Sequence, residues 1–216
     1  EYGILAGQAH LSGDLPQLKI HHQLSSPFRA ELNGTVADVL TDLRWQAELR
    51  VPEIKLQALR AQWPAMTLGG TMHGNGTMQR LQAEGELHSN YRTLDADHRF
   101  ALAYEKDTLQ LIRFDTTLAK TGARISLRGT VADLAKQPQA DINGTWRNLG
   151  WPLQEPFAIH STMGRFSLAG TLDRYHIQAD GDLAGHQMPT GTWSLNADGT
   201  PQNLIVTKIE GKFLDG

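Results

Sequence analysis

The chain has 216 residues, 40% of them hydrophobic, and its 20 basic and 23 acidic residues give a formal net charge of -3. This length allows one large all-β domain or two small ones, and charges mixed along the chain leave no basic footprint for a nucleic-acid partner. The absence of cysteine excludes disulfides, thiolate metal sites and cysteine nucleophiles, and the apolar runs are too short to span a bilayer.

Apolar and polar residues alternate along most of the chain, as in half-buried β-strands. In chain order, the alternating runs cover 18–24, 28–34, 45–51, 100–104, 112–118, 125–131, 166–172, 175–179, 193–197 and 209–213. Short breaks at 107–108, 120–122, 173–174 and 185–186 have hairpin spacing, which predicts a mostly antiparallel sheet.

Three stretches depart from this period. Residues 52–63 predict one or two helical turns around Leu56, Leu59 and Trp63, ended by Pro64. Residues 36–43 and 131–136 are weaker candidates for turns or short helical caps.

A repeated dipeptide marks many of the predicted strands. Gly is followed by Thr eight times, at Gly34, Gly70, Gly76, Gly129, Gly144, Gly170, Gly191 and Gly199. In an extended strand this repeat places apolar residues and Gly on one face and Thr on the other. A Gly in the apolar row permits either close approach of another backbone or a bulge that bends the sheet. The Gly-rich segment 69–77 is interpreted as a strand pair with a tight turn.

The polar residues do not form a catalytic or metal-binding motif. Nine scattered His residues lack the spacing of a zinc site, which predicts solvated, strand-surface histidines and no metal. Asp95 and Asp97 share one strand face, where they either bind a hard cation or face water, and the second interpretation is favoured. Without a phosphate loop or a nucleophile elbow, the sequence predicts no catalytic residues, no cofactor and no enzymatic activity. Three of the five Trp residues lie in apolar alternation and are predicted to be core.

The segment from Leu59 to Thr77 contains Trp63-Pro64, followed by alternating apolar residues and closely spaced glycines. It resembles segments of the TamB family, a subunit of the translocation and assembly module, and of the wider AsmA-like group. Residues 125–131 leading to 148–153, and residues 164–172, resemble the strand and loop pattern of the same group. The resemblance runs over most of the chain, from about Leu32 to its end.

This resemblance implies an all-β fold: an elongated, mostly antiparallel curved sheet folded lengthwise into an apolar, β-taco-like groove, with at most one or two short helices. It also implies a periplasmic protein of a Gram-negative bacterium, anchored in the inner membrane through a segment outside this chain. The implied partners are phospholipid and a TamA-like outer-membrane barrel protein, in outer-membrane protein assembly. Residues 1–216 are expected to be a single repetitive β-groove segment of a longer protein.

A curved sheet with an inner row of Leu, Ile, Phe and Gly presents an apolar trough for acyl chains. Burying apolar surface there is favourable by about 25 cal/mol per Å². The predicted lipid-binding groove residues are Leu32, Leu49, Leu102, Phe114, Ile125, Leu127, Ile142, Phe166, Leu168, Ile177 and Leu195.

Two other interpretations stay open. A closed β sandwich or β-helix module, as a glycan-binding or spacer domain of an adhesin, would bury the same apolar residues against a second sheet. A chaperone-like β-surface would instead pair with unfolded strands of outer-membrane proteins through its exposed edge.

Overall fold

A computed structural model of the chain describes residues 6–14, 16–185 and 188–213, without the side chains of residues 188 and 189. The chain divides into unit 1, Glu1–Lys106, and unit 2, Asp107–Gly216. Nearly all regular structure in the described residues is antiparallel β-strand, which confirms the predicted fold class. The expectation that residues 1–216 form a single segment stays a prediction.

Unit 1 consists of seven strands and one helical turn in its described residues. The strands are β1 (Ala6–Asp14), β2 (Gln17–Ser26), β3 (Ala30–Ala37), β4 (Arg44–Lys55), β5 (Met66–Thr77), β6 (Arg80–Tyr91) and β7 (Leu94–Glu105), and the turn is α1 (Leu56–Leu59). Each strand pairs antiparallel with the next strand along the chain.

Unit 2 repeats this sequential arrangement in its own described residues. Its strands are β8 (Thr108–Leu118), β9 (Arg124–Ala132), β10 (Gln139–Trp151), β11 (Ile159–Thr171), β12 (Tyr175–Gly185), β13 (Met188–Gly199) and β14 (Leu204–Phe213). Consecutive strands pair antiparallel from β8 to β14. The predicted breaks at 107–108, 120–122 and 173–174 coincide with strand ends, whereas His186 of the fourth break lies outside the described residues.

The helical prediction around Leu56 is correct for a single turn. Helix α1 has no side-chain N-cap and buries none of its residues, and the backbone is extended again at Arg60. Trp63 lies outside the helix, with 42% of its surface exposed, and Pro64 does not stop it. The candidates at 36–43 and 131–136 are strand ends followed by turns, in which Asp38 and Asp133 have positive φ.

The interpretation of residues 69–77 as a strand pair with a tight turn is wrong, because β5 runs without a break from Met66 to Thr77. Gly70 lies within this strand with a φ of +151°, a backbone conformation that residues other than glycine rarely adopt. A Cβ at Gly70 would collide with the carbonyl oxygen of Glu86 on β6. The glycines therefore serve a close approach of two strands and do not reverse the chain.

Two apolar residues of the predicted strands lie elsewhere than expected. The register between β8 and β9 shifts between Leu111 and Phe114. This bulge brings Leu111 and Phe114 to the same face and leaves Ile112 exposed. Leu172, predicted to continue the run 166–172, follows the end of β11 and is 77% exposed.

The registers align the apolar residues of each unit in rows across the strands. In unit 2, Ile142 lies opposite Leu168, which lies opposite Ile177. In unit 1, Leu32 lies opposite Leu49, which lies opposite Met72. Because side chains alternate between the faces of a strand, each unit has an apolar face and a polar face. We call these the apolar and polar face of each unit.

The apolar faces are only partly covered. Among the described residues, no large side chain is fully buried, and most members of the rows are half-buried. The apolar residues therefore lack the dense second layer of a sandwich core.

We predict that Gly129→Ala destabilises unit 2 by more than about 2 kcal/mol, because φ is +156° there and a Cβ would collide with the Asp141 carbonyl. Gly122→Ala is the matched control, since its φ is +66° and a Cβ would meet nothing within 4 Å. It should cost only about 1–2 kcal/mol from the left-handed backbone. Urea unfolding measures both values, and equal losses would contradict a close approach of β9 and β10.

Candidate functional site

The apolar face of unit 1 contains a cavity of about 360 Å³. Almost all of its lining is apolar and comes from β2 to β6 and the segment before β3. The lining residues are His22, Leu24, Phe28, Ala30, Leu32, Leu49, Val51, Ile54, Leu68, Gly69, Met72 and Leu87. This volume lies within the range of small-molecule sites, at about 300–1,000 Å³.

Two of the three groove residues predicted in unit 1 line this cavity. Leu32 and Leu49 lie directly opposite each other on β3 and β4. Leu102, on β7, pairs with Ala83 of β6 and is not part of the lining. Among the lining residues missing from the prediction, Leu68 and Met72 lie on β5, whose alternation is interrupted by its glycines, and the others lie on β2, β3, β4 and β6 or just before β3.

The eight groove residues predicted in unit 2 all lie on its apolar face. Phe114 is opposite Leu127, and Ile125 lies two residues along the same strand β9. Ile142, Leu168 and Ile177 form one continuous row across β10, β11 and β12. The remaining two, Phe166 and Leu195, both lie opposite Ala179. All eight are half-buried.

Glycines on the apolar faces provide space for aromatic rings from the neighbouring strand. Gly144 lies opposite Phe166 and Gly199 opposite Tyr175, and in both cases a Cβ on the glycine would overlap the ring. Gly85 lies opposite Phe100 in the same way. We call a glycine that leaves space for an aromatic ring of the neighbouring strand a ring seat. Within the Gly-Thr repeat, Gly70, Gly129 and Gly170 allow close approach of another backbone segment, whereas Gly144 and Gly199 are ring seats. The ring seats were not predicted.

Trp146 shows the ring seat in its largest form. Its indole, on β10, lies over Gly164 of β11 and reaches Gly181 of β12. It stacks between Phe166, at 6.3 Å between ring centroids, and Trp193, at 6.0 Å. Only 8% of Trp146 is exposed. One side chain thus covers three strands, and the aromatic layer thickens the apolar face without a second sheet. Trp45 and Trp193 are half-buried and Trp151 is exposed.

A polar network lies at the edge of this aromatic layer, where β11 shifts register against β12 between His160 and Gly164. The Trp146 indole N–H donates to the Ser161 hydroxyl at 2.7 Å, and the hydroxyl donates to Asp182 Oδ1 at 2.9 Å. Asp182 also accepts from the Met163 backbone N–H at 2.9 Å and from the Thr162 hydroxyl. The carboxylate therefore satisfies groups that the bulge removes from the ladder.

The hydrogen bonds set the ionisation of Asp182. Burial by itself raises the pKa of this carboxyl, but the donors at Met163, Thr162 and Ser161 together outweigh burial, so the pKa lies below its ordinary value. Asp182 is therefore the charged anchor of the network at neutral pH.

Several histidines and acidic residues of the polar faces form cross-strand pairs. His88 Nδ1 lies 2.9 Å from Asp97 Oδ1, and the Asp95 carboxylate accepts a hydrogen bond from the Asn90 side-chain amide. Within the described ranges, no three His, Asp or Glu side chains come close enough to hold a metal ion. His98 differs from these exposed residues because it is partly buried. Burial lowers the pKa of His98 by more than the nearby Asp97 raises it.

Comparison with known families agrees with this architecture. The family profile described as "TamB, N-terminal domain" matches residues 96–216, which is more than half of the chain. The chain belongs to the TamB family. It is therefore a TamB-type envelope protein, and the match covers two of the segments that carried the resemblance, but not residues 59–77. The sequence matches no curated protein and no solved structure. No helix in the described part of the chain is long and apolar enough to span a membrane.

We predict that Gly164→Ala destabilises unit 2 by about 1–3 kcal/mol, the usual result of overpacking, because the new methyl group would overlap the Trp146 ring. The near-ultraviolet circular dichroism of the stacked indoles should fall as well. Gly74→Ala is the control, since the Trp45 ring atoms lie 3.2 Å from a Cβ there and can move aside. A loss as large at Gly74 as at Gly164 would contradict the ring-seat interpretation.

We predict that Asp182→Asn lowers the free energy of unfolding at pH 7 by about 1–3 kcal/mol, since several hydrogen bonds to a charged group are lost. A carboxyl with a lowered folded-state pKa stabilises the protein above its unfolded pKa of about 3.9 and loses this contribution as the pH falls. Denaturant unfolding from pH 7 to pH 2.5 should therefore show wild type and variant converging below about pH 4. A constant difference over this range would show that the charge of Asp182 is irrelevant.

Proposed function

We propose that the apolar faces of the two units carry phospholipid acyl chains between the inner and outer membranes. The observation that supports this most directly is the half-buried state of the apolar rows, which have no dense second layer in the described residues. A glycan-binding or spacer sandwich would instead interdigitate the same residues with a facing sheet.

The chemistry of the surface fits an acyl chain. Each methylene moved from water to an apolar surface contributes about 0.8 kcal/mol when fully buried. The cavity around Leu32, Leu49 and Met72 and the row from Ile142 to Ile177 have apolar contacts and no charged groups. A ligand held by such contacts can slide along a row, because no single directional bond fixes its position.

We further propose the cellular setting that fits this role. The protein would lie in the periplasm, anchored to the inner membrane, and would support outer-membrane protein assembly through a TamA-like barrel partner. Membership of the TamB family supports this setting.

A chaperone-like surface is the second candidate, and strand β14 favours it. All ten residues of β14 are exposed, with Ile205 at 64% and Ile209 at 71%. An exposed strand with apolar side chains is a template for strand addition. In that case, unfolded barrel strands rather than lipid would contact β14.

Photo-crosslinking from single positions in the cell-expressed protein distinguishes these functions. We predict that a benzophenone side chain at Leu32, Leu127, Leu168 or Leu195 forms phospholipid adducts. The controls are Thr130 and Thr192, exposed residues of the polar face of unit 2 on the same strands as Leu127 and Leu195. Mass spectrometry identifies the adducts.

Equal lipid adducts from both faces, or none from either, would reject the lipid groove. Protein adducts from β14, at Ile205 or Ile209, with no lipid on the apolar face would favour the chaperone function. Glycan adducts on the apolar face would favour the adhesin module.

A further inference from the structure

The polar face of unit 2 contains a cavity of about 790 Å³. Strands β9, β10, β11 and β12 contribute its lining. Arginines dominate its charge, at Arg124, Arg128, Arg147 and Arg165, and Asp180 is the only acidic lining residue among those described. The polar side chains of this cavity lie on the opposite face from the apolar rows, because they alternate along the strands with Ile125, Trp146 and Phe166. Trp146 and Phe166 also border the cavity.

On the polar faces of both units, cations and anions often face each other directly across the strands and form an ion pair. The register partners that do so are Arg80 with Glu105, Arg99 with Glu86, His88 with Asp97, His73 with Glu48, Arg165 with Asp180 and His176 with Asp198. Glu31 and Arg50 also face each other, although each forms its ion pair with another residue. Opposite charges at facing positions stabilise a sheet, whereas like charges there destabilise it.

Arg124 and Arg147 break this rule. They are direct register partners on β9 and β10, so their Cβ atoms are about 5 Å apart and both side chains extend from the same face. In the described part of the chain, no carboxylate forms an ion pair with Arg124, Arg147 or Arg128. The carboxylates at neighbouring positions are engaged by other groups: Asp180 by Arg165 at 2.8 Å, Asp115 by Arg113 at 3.8 Å, and Asp182 by the Met163 N–H and the Ser161 and Thr162 hydroxyls. Neither arginine of this pair therefore has a carboxylate partner in the described part of the chain.

Hydroxyl groups add neutral donors beside the two guanidinium groups. Ser126 follows Arg124 by two residues, and Thr145 precedes Arg147 by two residues. Ser126 and Thr145 are also register partners and line the same cavity. Guanidinium groups match tetrahedral phosphate oxygens with paired N–H donors, and serine or threonine hydroxyls complete such a shell. A planar carboxylate, with one charge, would satisfy fewer of these donors.

We propose that Arg124, Arg147, Ser126 and Thr145 form a binding site for a phosphate-type dianion. We call it the arginine site. Its ligand is either a free phosphorylated molecule or the phosphate of a lipid headgroup, which share this chemistry. Arg128 lies four residues from Arg124 on the same face and adds long-range attraction for the anion. The arginine site does not depend on the proposed transport of acyl chains on the other face.

Two binding experiments test the site. One is isothermal titration calorimetry with inorganic pyrophosphate, and the other is flotation with phosphatidylcholine vesicles that contain or lack phosphatidic acid. Arg147→Gln should weaken binding of the active probe by about tenfold or more, because it removes a bidentate charged donor. Arg99→Gln is the matched control, since it removes the same charge from the polar face of unit 1, where Arg99 is paired with Glu86 at 3.0 Å. It should change the affinity less than about twofold.

Pyrophosphate binding identifies a soluble phosphorylated ligand, and binding only to phosphatidic acid vesicles identifies a lipid headgroup. Equal weakening by Arg147→Gln and Arg99→Gln would overturn the site, as would no binding of either probe to wild type. A thermal melt without ligand checks the fold. Arg147→Gln should not lower the melting temperature, because it removes a like-charge contact. Lipid crosslinking from Leu127 should persist in this variant, which separates the site from the apolar face.

Discussion

The hydrogen-bonded register between neighbouring strands decides what each side chain of this protein can contact. Every strand of a unit pairs with its neighbours in the chain, so one cross-strand row contains residues from up to seven consecutive strands. Because side chains alternate with a period of two, a one-residue slip would move Ile142 from Leu168 to the polar face. The bulge between Leu111 and Phe114 shows the effect locally, since it turns Ile112 to solvent. The apolar rows, the ring seats and the facing arginines all depend on the register.

The glycines let a single sheet layer bury large side chains. A ring on an ordinary sheet needs a second layer above it, whereas a ring opposite a glycine can lie flat on the strand beside it. Trp146 does so over Gly164 and Gly181 and is nearly buried. Glycine in a strand costs about 0.5–1 kcal/mol relative to alanine, and an aromatic pair contributes about 0.5–1.5 kcal/mol beyond its buried area. The net contribution of a ring seat to the free energy of folding is therefore close to zero or favourable. The rest of the apolar face stays open.

Alternation in the sequence predicted ten of the described strands, and the short breaks between runs predicted their antiparallel pairing, but no alternating run was identified in β1, β6 or β10. It failed where glycines interrupt the apolar signal, as in β5, which was interpreted as two strands although its Gly70 and Gly74 simply extend one strand. Bulges also escaped prediction, because they depend on the match between two strands and not on either alone. The ring seats and the Asp182 network require knowing which residue faces which, and this information appears only with the register.

The two faces of unit 2 meet opposite physical demands within one layer of backbone. An exposed apolar face promotes association, so it must be covered enough to stay in water and open enough to accept a ligand. The stacked rings of Trp146, Phe166 and Trp193 reduce its exposed area, while the rows beside them stay half-buried. The polar face gains stability from cations that face anions across the strands. Arg124 and Arg147 forgo that gain at a position where Arg165 and Asp180 show that an ion pair fits the same sheet. The repulsion between two facing arginines destabilises the sheet unless water screens it or a bound anion compensates it. In the second case, relief of the repulsion adds to the binding free energy of the anion.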